Sequence, residues 1–256
     1  MASGQPTITV RFYEELNFFL EPGRRRQSSP VPFRPGDTVK VLIESLGVPH
    51  TEVDLVLADG RSVSFSHRLR DGERISVFPV FESLDIGSLT RVRATPLREP
   101  RFVLDVHLGR LAKMMRMLGF DSLYSNSMED RSLAEVSSRE RRILLTRDRE
   151  LLKRSLVSHG YYVRSPRPRE QLREILRRFD LGPRVRPFTL CLRCNEPLET
   201  VEKKEIQRQI PAHVARTYGR FRRCPTCGRI YWQGSHWETM RKSLGLENEP
   251  SDEARP

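Results

Sequence analysis

Two Cys-x-x-Cys pairs, Cys191-Leu-Arg-Cys194 and Cys224-Pro-Thr-Cys227, constrain this chain more than any other feature. Each pair offers two thiolates at a spacing that reaches one metal ion, and four thiolates complete a tetrahedral Zn²⁺ site. A closed four-thiolate set leaves no open position, so the pairs imply a structural zinc ribbon rather than a catalytic zinc. A redox use of Cys-x-x-Cys is the alternative, but two pairs near each other favour zinc. Met1–Pro6 is polar and holds no apolar signal core, which points to a cytoplasmic, reducing setting. Between the pairs, residues 195–223 are basic, and Tyr218, Phe221, Tyr231 and Trp232 lie close by. Basic groups interleaved with aromatics suit single-stranded nucleic acid, where rings stack on bases. The rings also have a plainer use as the core of a small module with little else to bury. Arg220, Arg222 and Arg223 are the candidate phosphate contacts of this region.

Upstream, Arg101–Asp148 opens and closes on short apolar runs that end in a carboxylate: Phe102-Val-Leu-Asp105 and Ile143-Leu-Leu-Thr-Arg-Asp148. The runs predict strands. His107–Leu118 reads as a helix, Phe120–Tyr124 as a strand and Glu129–Arg139 as a helix capped by Ser127. Glu150–Ser158 reads as a helix stopped by Gly160, Tyr161–Val163 as a strand, and Pro168–Phe179 as a helix opened by proline. Strand and helix alternate at short intervals, which predicts an α/β fold with a parallel sheet. Ligands of such sheets bind beyond the carboxyl ends of the strands. Asp105 and Asp148 directly follow strands, and Asp130 opens a helix that starts from the same edge. Converging carboxylates repel unless a cation lies between them, and oxygen ligands suit Mg²⁺ or Mn²⁺. Taken singly, each acid is also a good helix cap or partner of a helix N-terminus; taken together, the metal site is favoured. Arg147 adjoins one proposed ligand and is the candidate for stabilising charge in a transition state. Arg110, Lys113 and Arg116 recur on one stripe, as a phosphate-binding face or as an ordinary solvated one.

Residues 1–100 have another pattern. Thr7–Tyr13 alternates as a half-buried strand, and Val31–Phe33 is a second strand candidate. Asp37 or Thr38 caps a short helix that ends at Gly47. Asp59-Gly60 joins Val53–Ala58 to Arg61–Phe65 as a hairpin, and Asp71-Gly72 precedes the strand-like run Arg74–Phe81. Hairpin, helix, then further strands resembles a β-grasp, ubiquitin-like domain of the sulfur-carrier type. Those carriers end in an exposed Gly-Gly; here Phe81 runs on with no such pair, so the resemblance implies an interaction module rather than a carrier.

Phe102-Val-Leu-Asp-Val-His-Leu-Gly-Arg-Leu-Ala112, Met117-Leu-Gly-Phe-Asp121 and Ile143-Leu-Leu-Thr-Arg-Asp-Arg-Glu-Leu151 resemble the RNase domain first defined at the C-terminus of the mut-seven exonuclease protein. That family is similar to PIN-domain nucleases, and the resemblance covers about residues 101–240. It implies that Asp105, Asp130 and Asp148 are the acidic site positions; a fourth acid of a full PIN quartet has no match. The ubiquitin-like domain resembles the partner often fused to this family.

The expected organisation is therefore a β-grasp domain (1–85), a linker (86–100), a PIN-like nuclease domain (101–182), a zinc ribbon (183–245) and a disordered tail (246–256). A formal net charge of +12 fits an anionic partner such as RNA, and no apolar run is long enough for a membrane span. The functional expectation is an Mg²⁺- or Mn²⁺-dependent ribonuclease with a possible protein partner at its N-terminal domain. The rival is an RNA- or ribosome-binding protein without catalysis.

Overall fold

A computed structural model describes residues 5–79, 90–92 and 99–244. The expected tail 246–256, most of the expected linker 86–100 and Phe81 of the last N-terminal strand lie outside the described residues. The chain divides into two compact units. One comprises Met1–Gly109, Tyr124–Arg164 and Arg178–Asp180; the other comprises Arg110–Leu123, Ser165–Arg177 and Leu181–Pro256.

The N-terminal part runs β1 (Thr7–Phe12), β2 (Ser29–Pro32), α1 (Val39–Ser45), β3 (Val53–Ala58), β4 (Arg61–Ser62) and β5 (Arg74–Pro79). Its sheet order is β2-β1-β5-β3-β4, with β1 parallel to β5 and the other described pairs antiparallel. That is a β-grasp arrangement. The Asp59-Gly60 turn takes positive φ at both residues (46° and 79°), as a two-residue hairpin demands. Thr38 accepts from the Val41 N–H and starts α1. Ile8, Val10, Ile43, Val56, Ile75 and Val77 fill the core. β4 is two residues long rather than five, because its pairing to β3 stops at Leu57↔Ser62.

The central part runs β6 (Phe102–Leu104), α2 (Gly109–Met117), β7 (Ser122–Tyr124), α3 (Asp130–Arg139), β8 (Ile143–Thr146), α4 (Arg149–Lys153), β9 (Gly160–Tyr162) and α5 (Pro168–Arg178). The sheet order is β7-β6-β8-β9, and β6, β8 and β9 pair in parallel. The expected helix through Ser158 ends at Lys153: Arg154 turns extended, and the chain closes a turn from the Val157 N–H to the Arg154 carbonyl. Gly160 begins β9 rather than merely ending a helix. A Cβ there would sit 2.6 Å from Leu152 Cδ2 and 3.2 Å from Val157 Cγ1, so a larger residue would force these side chains to shift.

Side chains from both parts of the first unit interlock. Glu52 is 1% exposed; it accepts from the Tyr162 N–H at 2.6 Å and from Arg164 at 3.1 Å. His50 Nε2 donates to the Val157 carbonyl at 2.9 Å. Arg149 lies over the rings of Phe18, Phe19 and Tyr162 and donates to the Phe19 carbonyl. Burial pushes the Glu52 carboxyl up from its ordinary value, against the opposing pull of Arg164, Arg178 and its hydrogen bonds. A carboxyl whose folded pKa is raised stabilises fully below its unfolded value, about 4.3, and less as pH rises through the folded one. Glu52→Ala leaves Arg164 and the Tyr162 N–H without this partner. It is expected to lower unfolding free energy by about 3–5 kcal/mol, as other broken buried pairs do. Urea unfolding should show a larger loss at pH 5 than at pH 8.

The ribbon follows as β10 (Glu199–Val201), α6 (Lys203–Ile206), α7 (Ala212–Thr217), β11 (Phe221–Arg223), β12 (Ile230–Tyr231) and α8 (Ser235–Leu244). Its three strands are antiparallel in the order β10-β11-β12. No helix among the described residues is long and apolar enough to cross a membrane.

Candidate functional site

Asp105 leaves the carboxyl end of β6, where its N–H donates to the Leu145 carbonyl of β8. It is 5% exposed. Its Oδ2 accepts from the Thr146 hydroxyl at 2.7 Å, while Oδ1 takes no hydrogen bond and the carboxylate meets no cationic side chain among the described residues. The Thr146 oxygen in turn accepts from the Asp148 N–H at 2.9 Å. One hydroxyl therefore ties two acidic positions at neighbouring strand ends. Asp148 caps α4: its Oδ1 accepts from Glu150 N–H at 2.8 Å and Leu151 N–H at 3.4 Å. The capping reading is thus what the structure shows for this residue, and its Oδ2 takes no hydrogen bond among the described residues.

Asp130 is the first residue of α3, about half exposed, with Arg154 Nη2 3.8 Å from its Oδ2. Among the described residues, the four cysteines are the one set of three or more His, Cys, Asp or Glu with ligand atoms all within 4.8 Å of one another. The three aspartates do not form such a set. Arg147 Nη1 donates to the carbonyls of Val163 at 3.1 Å and Arg164 at 2.8 Å, which straps the end of β8 to that of β9.

The basic stripe of α2 needs correction. Arg110 and Lys113 are exposed, but Arg116 is 3% exposed. Its Nε donates to the Ser122 carbonyl, and its Nη1 to the carbonyls of Leu192 and Arg193. Burial lowers its pKa, opposed by Cys191 and Asp121. A guanidinium so used holds the first cysteine knuckle and has no access to phosphate. Arg220 and Arg223 are exposed, whereas Arg222 is half-buried and donates to the Phe188 carbonyl.

The cysteine cluster fits zinc by its own chemistry. Cys191 and Cys224 are fully buried, and Cys191 Sγ lies 3.6 Å from Cys227 Sγ. Burial works against the Cys191 thiolate, yet the Tyr231 hydroxyl and nearby backbone N–H groups hold its pKa down at about 6. Hydrogen bonding to Cys227, burial and Cys191 push Cys194 up to about 12. One thiolate thus suppresses the next, a conflict that a divalent cation relieves.

Residue-type reasoning missed Thr146 and Tyr231. Thr146 had a signal, as a hydroxyl closing an apolar strand two residues before an acid. Tyr231 looked like core; its hydroxyl instead lies 3.2 Å from Cys191 Sγ.

A family model described as Mut7-C RNAse domain matches residues 100–244. A second, described as Mut7-C ubiquitin, matches residues 5–85. Among solved structures, a putative molybdopterin converting factor, subunit 1, from Pyrococcus furiosus is similar at 20% identity, with a TM-score of 0.25, over 30% of this chain and 99% of its own. No curated protein matches the chain.

Proposed function

The chain belongs to the Mut7-C RNase domain family, and on that premise we propose that it is a divalent-metal-dependent ribonuclease. The observation that carries the proposal is the Asp105–Thr146–Asp148 arrangement at the carboxyl edge of a parallel sheet. Asp105 Oδ1 and Asp148 Oδ2 are the oxygens left to hold Mg²⁺ or Mn²⁺, with Asp130 the third acidic position. The hard carboxylate set fits such ions. A bound ion there would polarise a phosphoryl oxygen and acidify a water. Thr146 fixes the Asp105 rotamer through its hydroxyl. Arg147 keeps a positive charge beside Asp148 while strapping the two strand ends. The zinc ribbon, held by Cys191, Cys194, Cys224 and Cys227, takes part in gripping RNA through Arg220 and Arg223. The N-terminal β-grasp domain is compatible with a protein partner.

With Mn²⁺, the protein is expected to cut labelled single-stranded RNA, and Asp148→Asn to leave only background cleavage. Asparagine caps a helix as well as aspartate does, so this exchange keeps α4 while weakening the metal ligand. Equal cutting by both proteins would sink the assignment. The separation of Asp130 from the other two acids favours a second reading, RNA binding without catalysis. It predicts undiminished, salt-sensitive binding and no metal-dependent cleavage by either protein.

A further inference from the structure

The ribbon contains a cleft of about 710 Å³ between β10, β11 and the segment after β12. Phe188, Tyr218 and Trp232 line it, together with Lys203, Arg220 and Arg222. Tyr218 and Trp232 pack against the module's small core yet stay half-buried, whereas Phe221 within that core is 1% exposed. The Tyr218 hydroxyl and the Trp232 Nε1–H have no hydrogen-bond partner among the described residues. Gly234 permits the Trp232 position, since a Cβ there would stand 3.0 Å from Nε1. Lys203 and Arg220 are exposed and form no ion pair among the described residues. Glu202 is the one acid of the lining.

We infer that this cleft binds unpaired nucleotides of RNA, with a base against Trp232 or Tyr218 and backbone phosphates on Lys203 and Arg220. The volume suits a ligand of nucleotide size. Aromatic faces bind bases of any sequence, and unpaired cations at the rim complement phosphate. The tips left without partners are donors, which match base oxygens and phosphate oxygens. The inference rests on the part of that reading in which RNA is what the chain binds, and it does not require that the chain cleave it. It assigns the ribbon a preference for single strands, separate from the metal chemistry at Asp105 and Asp148.

The test uses the full, zinc-loaded chain carrying Asp148→Asn, so that binding is read without cleavage. The probe is a fluorescein-labelled oligouridine about 12 nucleotides long, within the span of known single-strand sites. The blunt duplex formed with its complement serves as the comparison. Anisotropy should show tighter binding of the single strand, and tryptophan emission should be quenched on binding. Lys203→Glu with Arg220→Glu should weaken single-strand binding about tenfold or more at low salt. Trp232→Ala should weaken it by about tenfold as well. Because Trp232 touches the core, zinc content is measured alongside; if that variant loses zinc, the exposed charge reversals decide. Equal affinity for single strand and duplex, or a Kd unchanged by the charge reversals, overturns the inference. Intact binding with no cleavage by the unmutated chain instead overturns the ribonuclease reading and leaves the cleft standing.

Discussion

Chelating zinc, or replacing Cys224 with serine, is expected to unfold the ribbon while the β-grasp core persists. The ribbon's strands are three, three and two residues long. Around the thiols, the buried apolar set is Cys191, Leu198 and Cys224, with Cys194, Cys227 and Tyr231 partly buried against it. Four of those groups are themselves ligands that repel once ionised. Even with the second small core of Ile206, Ile210, Val214, Ala215 and Phe221 beside it, such a cluster cannot offset the conformational entropy of ordering its own chain, about 1–2 kcal/mol per residue for the backbone alone. Structural zinc contributes about 10–16 kcal/mol of apparent free energy in comparable modules near neutral pH. Metal loss should therefore remove the β10–β12 sheet outright. Resonances of Phe221 and Trp232 should collapse toward random-coil positions, and a protease should cut between 195 and 223. Those of Ile8, Val56 and Ile75 should stay dispersed. Acid should act in the same direction as chelation, because protonating thiolates releases the ion. A chelated chain whose ribbon resonances do not move would refute the structural role of zinc.

Local chemistry made much of the fold legible. Asp59-Gly60 encodes its hairpin because few residue pairs accept positive φ twice. Thr38 and Pro168 mark helix starts because the first turn lacks donor partners, and Pro168 lacks a donor to waste. The acids at 105 and 148 stand at strand ends, as the apolar runs before them implied. What escaped is set by distant residues. Arg116 recurs on the same stripe as Arg110 and Lys113, and no period reveals that carbonyls of residues 192 and 193 bury it. Glu52 stands just before the Val53–Ala58 strand with nothing local to mark it, and its partners Tyr162 and Arg164 lie more than a hundred residues on. Leu156 and Val157 continue the apolar pattern of α4 and so predict a longer helix, but Val157 is buried from a turn instead. Arg149, beside Asp148, stacks on Phe18 and Phe19 of the β-grasp part. The N-terminal domain thus braces the helix that Asp148 caps, in addition to any partner it recruits.

Asp105→Asn is expected to reduce cleavage by about 10²- to 10³-fold, the scale on which an enzyme slows when one preorganised electrostatic group is lost. The same exchange should leave stability unchanged or raise it. Asp105 is buried and has no cationic partner among the described residues, so no ion pair is broken when its charge is removed. Asparagine keeps an oxygen for the Thr146 hydroxyl, so the bond at 2.7 Å survives the exchange. Loss of activity with gain of stability is the signature of a site residue rather than a core residue. Thr146→Val separates the two effects. It removes the donor to Asp105 and the acceptor for the Asp148 N–H, and should destabilise by about 1–3 kcal/mol while keeping both carboxylates. Mn²⁺ supplies the decisive measurement. An ion that binds only the folded chain stabilises it by about 2.7 kcal/mol at a hundred times its Kd. The unmutated protein should therefore melt higher as Mn²⁺ is added. Asp105→Asn should start at the same melting temperature or above and gain far less from the ion. If Mn²⁺ raises both melting curves equally while RNA cleavage is undiminished, Asp105 is a buried strand-end residue and the metal lies elsewhere.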